Sequence, residues 1–329
     1  VSNWFGRTGI RLLLILVGGF GVGIPAALAQ GNGEAPAEES GEPAEDRKRA
    51  MISSALDSEL IAARWPDATV WLEPPEEDRV LALFEPEAGA SAKGALVILA
   101  DEGQSAASGL AGALRRPMAR AGWAVMTLGL EPPPYAVQQY YRQQAAASPE
   151  MPERSGGNTS NEDTDAGDSV MIDVMDSVDV EELEDQYRNR IQKTLAVAVG
   201  NLSDRGYDRV AVAGVGTGAG HVARMATGGG DDVSALIWIA PVFARVDEEN
   251  LPEWLSEAGQ LRVLELHSTR VPETTEGAGP GSPKERESAL RRADITSYSR
   301  QPVAMPERPE PRDAPALASR LSAWLTSDR

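Results

Sequence analysis

One stretch of this sequence has the residue types and spacing of a strand-to-helix turn that could do chemistry: Val212-Ala213-Gly214-Val215-Gly216-Thr217-Gly218-Ala219-Gly220-His221. In the pattern G-x-S-x-G, a nucleophile stands at the tip of such a turn and presents its hydroxyl above a sheet. Here Gly214 and Gly218 hold the flanking positions and Gly216 holds the tip, so no side chain is available there to attack a carbonyl. Thr217 offers a hydroxyl one position on, but a β-branched residue suits a positive-φ tip poorly. Only His221 and His267 could serve as a general base. A triad in this chain order needs its histidine after the last strand, and Gln301 to Pro311 contains none. The plainer reading of both histidines is a satisfied residue near a helix or strand end.

A second loop bears on the same chemistry. The apolar run ending at Ala100 leads into Asp101-Glu102-Gly103-Gln104-Ser105. In acyl-transfer enzymes the equivalent loop donates backbone N–H groups to an oxyanion. Asp101 stands where a histidine often precedes the glycine, and two carboxylates there repel a developing negative charge. Asp101, Glu102, Gly103, Gln104, Gly216 and Thr217 are therefore the candidate ligand cleft, with Ser105 as a second hydroxyl candidate. A metal site or cofactor is not expected. The chain has no cysteine and two histidines, and Asp163-Thr164-Asp165-Ala166-Gly167 lacks the ligand spacing of a calcium loop.

The elements that must position these residues alternate. Short β-rich runs at Thr69 to Leu72 and Arg79 to Phe84 flank a Pro-Pro turn and predict a hairpin. Continuous apolar runs at Ala95 to Ala100, Trp123 to Leu128, Arg209 to Ala213, Ser234 to Ala240 and Leu261 to His267 predict strands buried on both faces. Ile295 to Arg300 completes eight. Helical spacing is found over Ala50 to Trp65, Leu110 to Ala121, Val180 to Leu202, Gly218 to Thr227, Pro252 to Ala258, Lys284 to Ala293 and Ala314 to Thr326. The expected fold is α/β and α/β-hydrolase-like, a mostly parallel eight-stranded sheet with helices on both faces.

The rest of the chain is read from composition. Residues 1–29 read as a signal peptide: Arg7 and Arg11, a short apolar run, then Ala27-Leu28-Ala29. Residues 30–49 read as a disordered linker rich in Gly, Pro, Ala and Glu. A single domain over residues 50–329 follows, interrupted at about 132–177 by a disordered acidic insert. From Ser155 to Gln186 there are eleven acidic residues and no basic one, a self-repelling composition. The formal charge of −19 excludes the basic footprint of a nucleic-acid binder. Export to a periplasmic or secreted location is expected, with no stable membrane insertion once the leader is removed.

The segments Gly94 to Gln104, Ala121 to Leu128, Val210 to Gly220 with its Gly-x-Gly-Thr-Gly-Ala core, and Leu317 to Leu325 resemble an exported bacterial family of α/β-hydrolase-like proteins, domain of unknown function 3530. The resemblance spans about Ala50 to Arg329 and implies a hydrolase-like scaffold without an established activity. Three readings stand at this point. The first is a non-catalytic protein that binds a small ligand or a protein partner at the old cleft. The second is an esterase-type hydrolase with a non-standard nucleophile, Thr217 or Ser105, served by His221 or His267. The third is a Rossmann-like nucleotide binder, since Gly214 to Ala219 matches G-x-G-x-x-A. Its following strand, however, ends at Ala240-Pro241 without the acid that would hold a ribose.

Overall fold

The computed structural model describes residues 57–147, 180–228, 233–259, 261–270 and 281–327. The expected signal peptide, the linker and most of the acidic insert lie outside the described residues. Strands β1 (Thr69–Leu72), β2 (Val80–Glu85), β3 (Gly94–Glu102), β4 (Trp123–Leu130), β5 (Val210–Val215), β6 (Val233–Ile239), β7 (Arg262–Ser268) and β8 (Tyr298–Val303) form one sheet in the order β1-β2-β4-β3-β5-β6-β7-β8. β2 runs antiparallel to both of its neighbours, and every other pairing is parallel. That order, with its antiparallel second strand, is the α/β-hydrolase arrangement. It differs from the Rossmann order 3-2-1-4-5-6, and the glycine-rich turn follows the fifth strand in sequence.

Central strands are buried on both faces, so alternate residues feed two cores. On one face Leu96, Ile98, Ala213 and Ile237 pack under α2 (Gly109–Arg120) and α8 (Ala314–Thr326). On the other, Val97, Leu99, Val212 and Trp238 pack under α4 (Val180–Asp204) and α5 (Gly218–Thr227). Leu251 and Leu255 of α6 (Arg245–Glu257) and Leu290 of α7 (Pro283–Arg292) extend that second core. Beside the hairpin, Ile61 of α1 (Ser58–Arg64) packs with Leu81, Leu83 and Ala106.

Three expectations require correction. The first part of the polar insert is helical: α3 spans Tyr135–Ala147. Its sequence is rich in Ala and Gln, good helix formers, and Pro134 precedes it where a missing N–H costs nothing. Val137 is fully buried, so one anchoring side chain stands in for the apolar stripe of an ordinary amphipathic helix. α6 begins at Arg245 rather than Pro252. Asp247, Leu251 and Leu255 share its buried face at helical spacing, and Pro252 lies inside the helix on another face. β8 begins at Tyr298 rather than Ile295. Asp294 takes φ +58 and the Ile295 N–H donates to Leu290 O at 3.0 Å, so these residues close α7 instead of pairing in the sheet.

Candidate functional site

β5 runs straight into α5 through the glycine turn, and the positive φ falls on Gly216, at +55°. Its N–H donates to Ile239 O at 3.0 Å, and its own carbonyl accepts from Ala219 N at 3.2 Å and Val242 N at 2.9 Å. The turn is thus pinned from both the helix and the β6–α6 loop. A side chain at Gly214 would meet Gly218 O at 2.5 Å and Ala219 N at 2.6 Å, so glycine there lets the helix start tight against the strand.

β3 reaches the same point from the other side. Its register against β4 shifts between Leu99 and Glu102, and such an irregularity re-aims side chains. Asp101 points into the turn. A single carboxylate oxygen, Asp101 Oδ1, accepts from Thr217 N at 3.0 Å, from Thr217 Oγ1 at 2.9 Å and from Glu102 N at 2.9 Å. The Glu102 N–H also lies 3.1 Å from Thr217 Oγ1.

Two of these donors, the N–H after the turn's tip and the N–H of Glu102 at the very end of β3, stand where this fold places the pair that holds an acyl oxyanion. Their distances fall in the range of about 2.7–3.1 Å that such donors need. The pair is filled by a carboxylate of the chain itself. The same group also occupies the place of a nucleophile. A Cβ at Gly216 would stand 2.2 Å from Asp101 Oδ1, 2.4 Å from its Cγ and 2.7 Å from its Oδ2.

The remaining candidate residues are arranged as follows. Glu102 is exposed at the rim. Partial burial raises its pKa above the ordinary carboxylate value, and the neighbouring Asp101 raises it further; Arg308, from the segment after β8, works the other way. That segment supplies a histidine in working triads of this fold, and here it brings a cation. Gly103 and Gln104 are stitched to the end of β4. Gly103 N donates to Leu130 O at 2.8 Å, and Leu130 N donates to Gln104 O at 2.9 Å. Ser105 is buried, on the side of this loop that faces α4 rather than the turn.

Among the described residues no hydrogen bond joins either imidazole to the Thr217 or Ser105 hydroxyl. The Thr217 hydroxyl is taken up by Asp101 and Glu102. His221, on α5, meets the edge of Tyr187 of α4, with ring centroids 5.7 Å apart. Burial lowers its pKa to about 4, with Arg188 and Arg224 adding to the shift and Asp247 opposing it. His221 is therefore neutral at pH 7. Asp247 itself binds Arg188 Nη1 at 2.9 Å and Arg224 Nη2 at 2.6 Å, so it is committed to tying α6 to α4 and α5. His267 is buried at the end of β7, in register with Pro302. Among the described residues no group of three or more His, Asp or Glu side chains is placed to hold a metal ion.

Spacing marks Gly216 as the tip that lacks an attacking side chain, whereas the role of Asp101 is not visible in the sequence. Its only sequence signal is an acidic residue where a polar donor or histidine commonly stands. Which way that residue points depends on the strand irregularity.

The strand order, the elbow between β5 and α5, and the amide pair beside it define an α/β-hydrolase fold. The chain belongs to the family described as a protein of unknown function, DUF3530, whose model matches residues 11–327. No curated protein is similar to it in sequence. Among solved structures it is similar to a dienelactone hydrolase from Anabaena variabilis, at 14% identity over 79% of this chain and 96% of that one, with a TM-score of 0.46. It is similar to the esterase domain of a Rhodothermus marinus protein, at 13% identity over 78% and 96%, TM-score 0.42. It is also similar to a soluble variant of monoglyceride lipase from Saccharomyces cerevisiae, at 10% identity over 79% and 96%, TM-score 0.44.

Proposed function

We propose that this chain is an exported α/β-hydrolase-like protein that carries out no hydrolysis and instead binds a small ligand or a protein partner at the carboxyl edge of its sheet. The observation that carries the reading is the Asp101 carboxylate, which accepts from both amides of the oxyanion pair and fills the space of the absent nucleophile. An acyl oxyanion would have to displace a charge of its own sign that three donors already hold. Open α/β sheets offer ligand sites at this edge whether or not a reaction occurs there. Among the described residues no helix is long and apolar enough to cross a membrane, which suits a protein released after its leader is cut.

The rival reading uses Thr217 as nucleophile. Its hydroxyl does donate to a carboxylate at 2.9 Å, so Asp101 is placed to take its proton. The same carboxylate oxygen, however, occupies the amides that the reaction would need next. Hydrolysis of p-nitrophenyl acetate and p-nitrophenyl butyrate decides between the two. The expected result is turnover no faster than buffer. Turnover that disappears in Thr217→Ala would overturn the proposal. Export is checked by fractionation and N-terminal sequencing of the mature chain, with Gln30 expected as its first residue.

A further inference from the structure

A cavity of about 190 Å³ opens beside the elbow without including it, where α1, the start of β2, the ends of β3 and β4, and α4 meet. Its inner wall is apolar, formed by buried Ile61, Leu81, Leu99, Leu128 and Leu195. Its mouth is polar, with exposed Arg79 and half-buried Arg190 paired there to Glu59 and Glu131 respectively.

One polar group inside this wall stands apart. Ser105 is only 4% exposed and lines the cavity. Its backbone N–H donates to Ser108 Oγ at 2.8 Å, and its carbonyl accepts from Ser108 N at 3.1 Å. No hydrogen bond among the described residues engages its side-chain hydroxyl. The neighbouring buried threonines behave differently: Thr194 Oγ1 donates to Arg190 O at 2.8 Å, and Thr127 Oγ1 donates to Ala106 O at 2.7 Å. Buried hydroxyls are normally satisfied in this way. The Ser105 hydroxyl is left facing the cavity.

We infer that this cavity is a binding site for a neutral, largely apolar molecule of about seven to nine non-hydrogen atoms that carries one hydroxyl or carbonyl group to meet Ser105. The size follows from volume, since an apolar cavity of about 150 Å³ holds benzene. Neutrality follows from the wall. Its inner part offers no charge, and the guanidinium groups at the mouth already have carboxylate partners, so an ionised ligand would bury an unpaired charge. The inference deepens the proposed binding role, and it does not depend on the elbow being inert.

The test is calorimetric titration of the full chain with p-cresol and with toluene, which lacks the hydroxyl. Wild type binds both. Ser105→Ala weakens p-cresol about fivefold, the worth of one net hydrogen bond, and leaves toluene unchanged. Ile191→Trp, which fills the cavity from α4, abolishes both. If the tryptophan variant does not fold, Ser105→Ala alone decides. A p-cresol affinity that ignores Ser105→Ala overturns the inference, as does binding that survives in a folded Ile191→Trp. A wild type that binds neither probe also overturns it, and leaves the reading of the elbow to the ester assay. Binding of p-cresol through Ser105 in a protein that turns over esters upholds this site and overturns the non-hydrolytic reading instead.

Discussion

Two places at the carboxyl edge of the sheet are treated in opposite ways. At the elbow, a position that this fold usually keeps open for a substrate is filled by the chain's own Asp101, whose oxygen draws on three donors. A few residues further along the same loop, Ser105 lines a cavity that the chain leaves open, and its hydroxyl faces inward. Tyr187 links the two, lining the cavity while its ring rests on His221 of the elbow helix. The contrast teaches that a turn tip without a side chain need not leave a vacant site. A polar hole lined by amides must be satisfied by something, whereas an apolar cavity can stay empty at the cost of lost packing contacts.

The largest expected effect tests whether Asp101 and Gly216 are one unit. Gly216→Ala should destabilise the wild type by about 3 kcal/mol, combining about 1 kcal/mol for a side chain at positive φ with the cost of overpacking against the carboxylate. In an Asp101→Ala background the same change should cost about 1 kcal/mol. A double-mutant cycle in urea measures the coupling, and additive values would show that Asp101 does not fill the elbow.

The link between the two places is tested next. The pKa of His221 is lowered from 6.5 to about 4, so the folded state resists protonation that the unfolded chain accepts. Stability is fully present above pH 6.5 and falls as the pH drops towards 4, by about 3 kcal/mol once both states are protonated. His221→Gln should remove that part of the acid sensitivity, as seen by denaturant melts between pH 4 and 7.

The smallest effect is at the rim. The raised pKa of Glu102 has the opposite sign: the folded state holds this proton more tightly, so stability declines as the pH rises past the ordinary value of 4.5. Glu102→Gln should be more stable than wild type at pH 7 by less than about 0.5 kcal/mol. The two should coincide below pH 4.

The five central strands were legible because strands buried on both faces are written as uninterrupted apolar runs, as at Ala95 to Ala100. α3 was hidden because one buried residue, Val137, anchors an otherwise polar helix. The start of α6 was hidden because its first buried residue is charged: Asp247 turns inward to Arg188 and Arg224, a pairing across three helices that no local pattern records. At the elbow, spacing alone revealed that Gly216 cannot attack a substrate. That Asp101 fills the gap was not legible, because it depends on a register shift between β3 and β4. The openness of the Ser105 hydroxyl likewise depends on what does not reach it in three dimensions.

The fit between residues 101 and 216 also works as a ratchet on descent. Placing a serine at 216 first drives its Cβ into an occupied space, so the mutant meets a folding penalty before it gains a reaction. Removing the carboxylate first bares two amides with no attacking group beside them. On the proposed reading neither single step is productive alone, and acyl chemistry at this elbow would need both residues changed together.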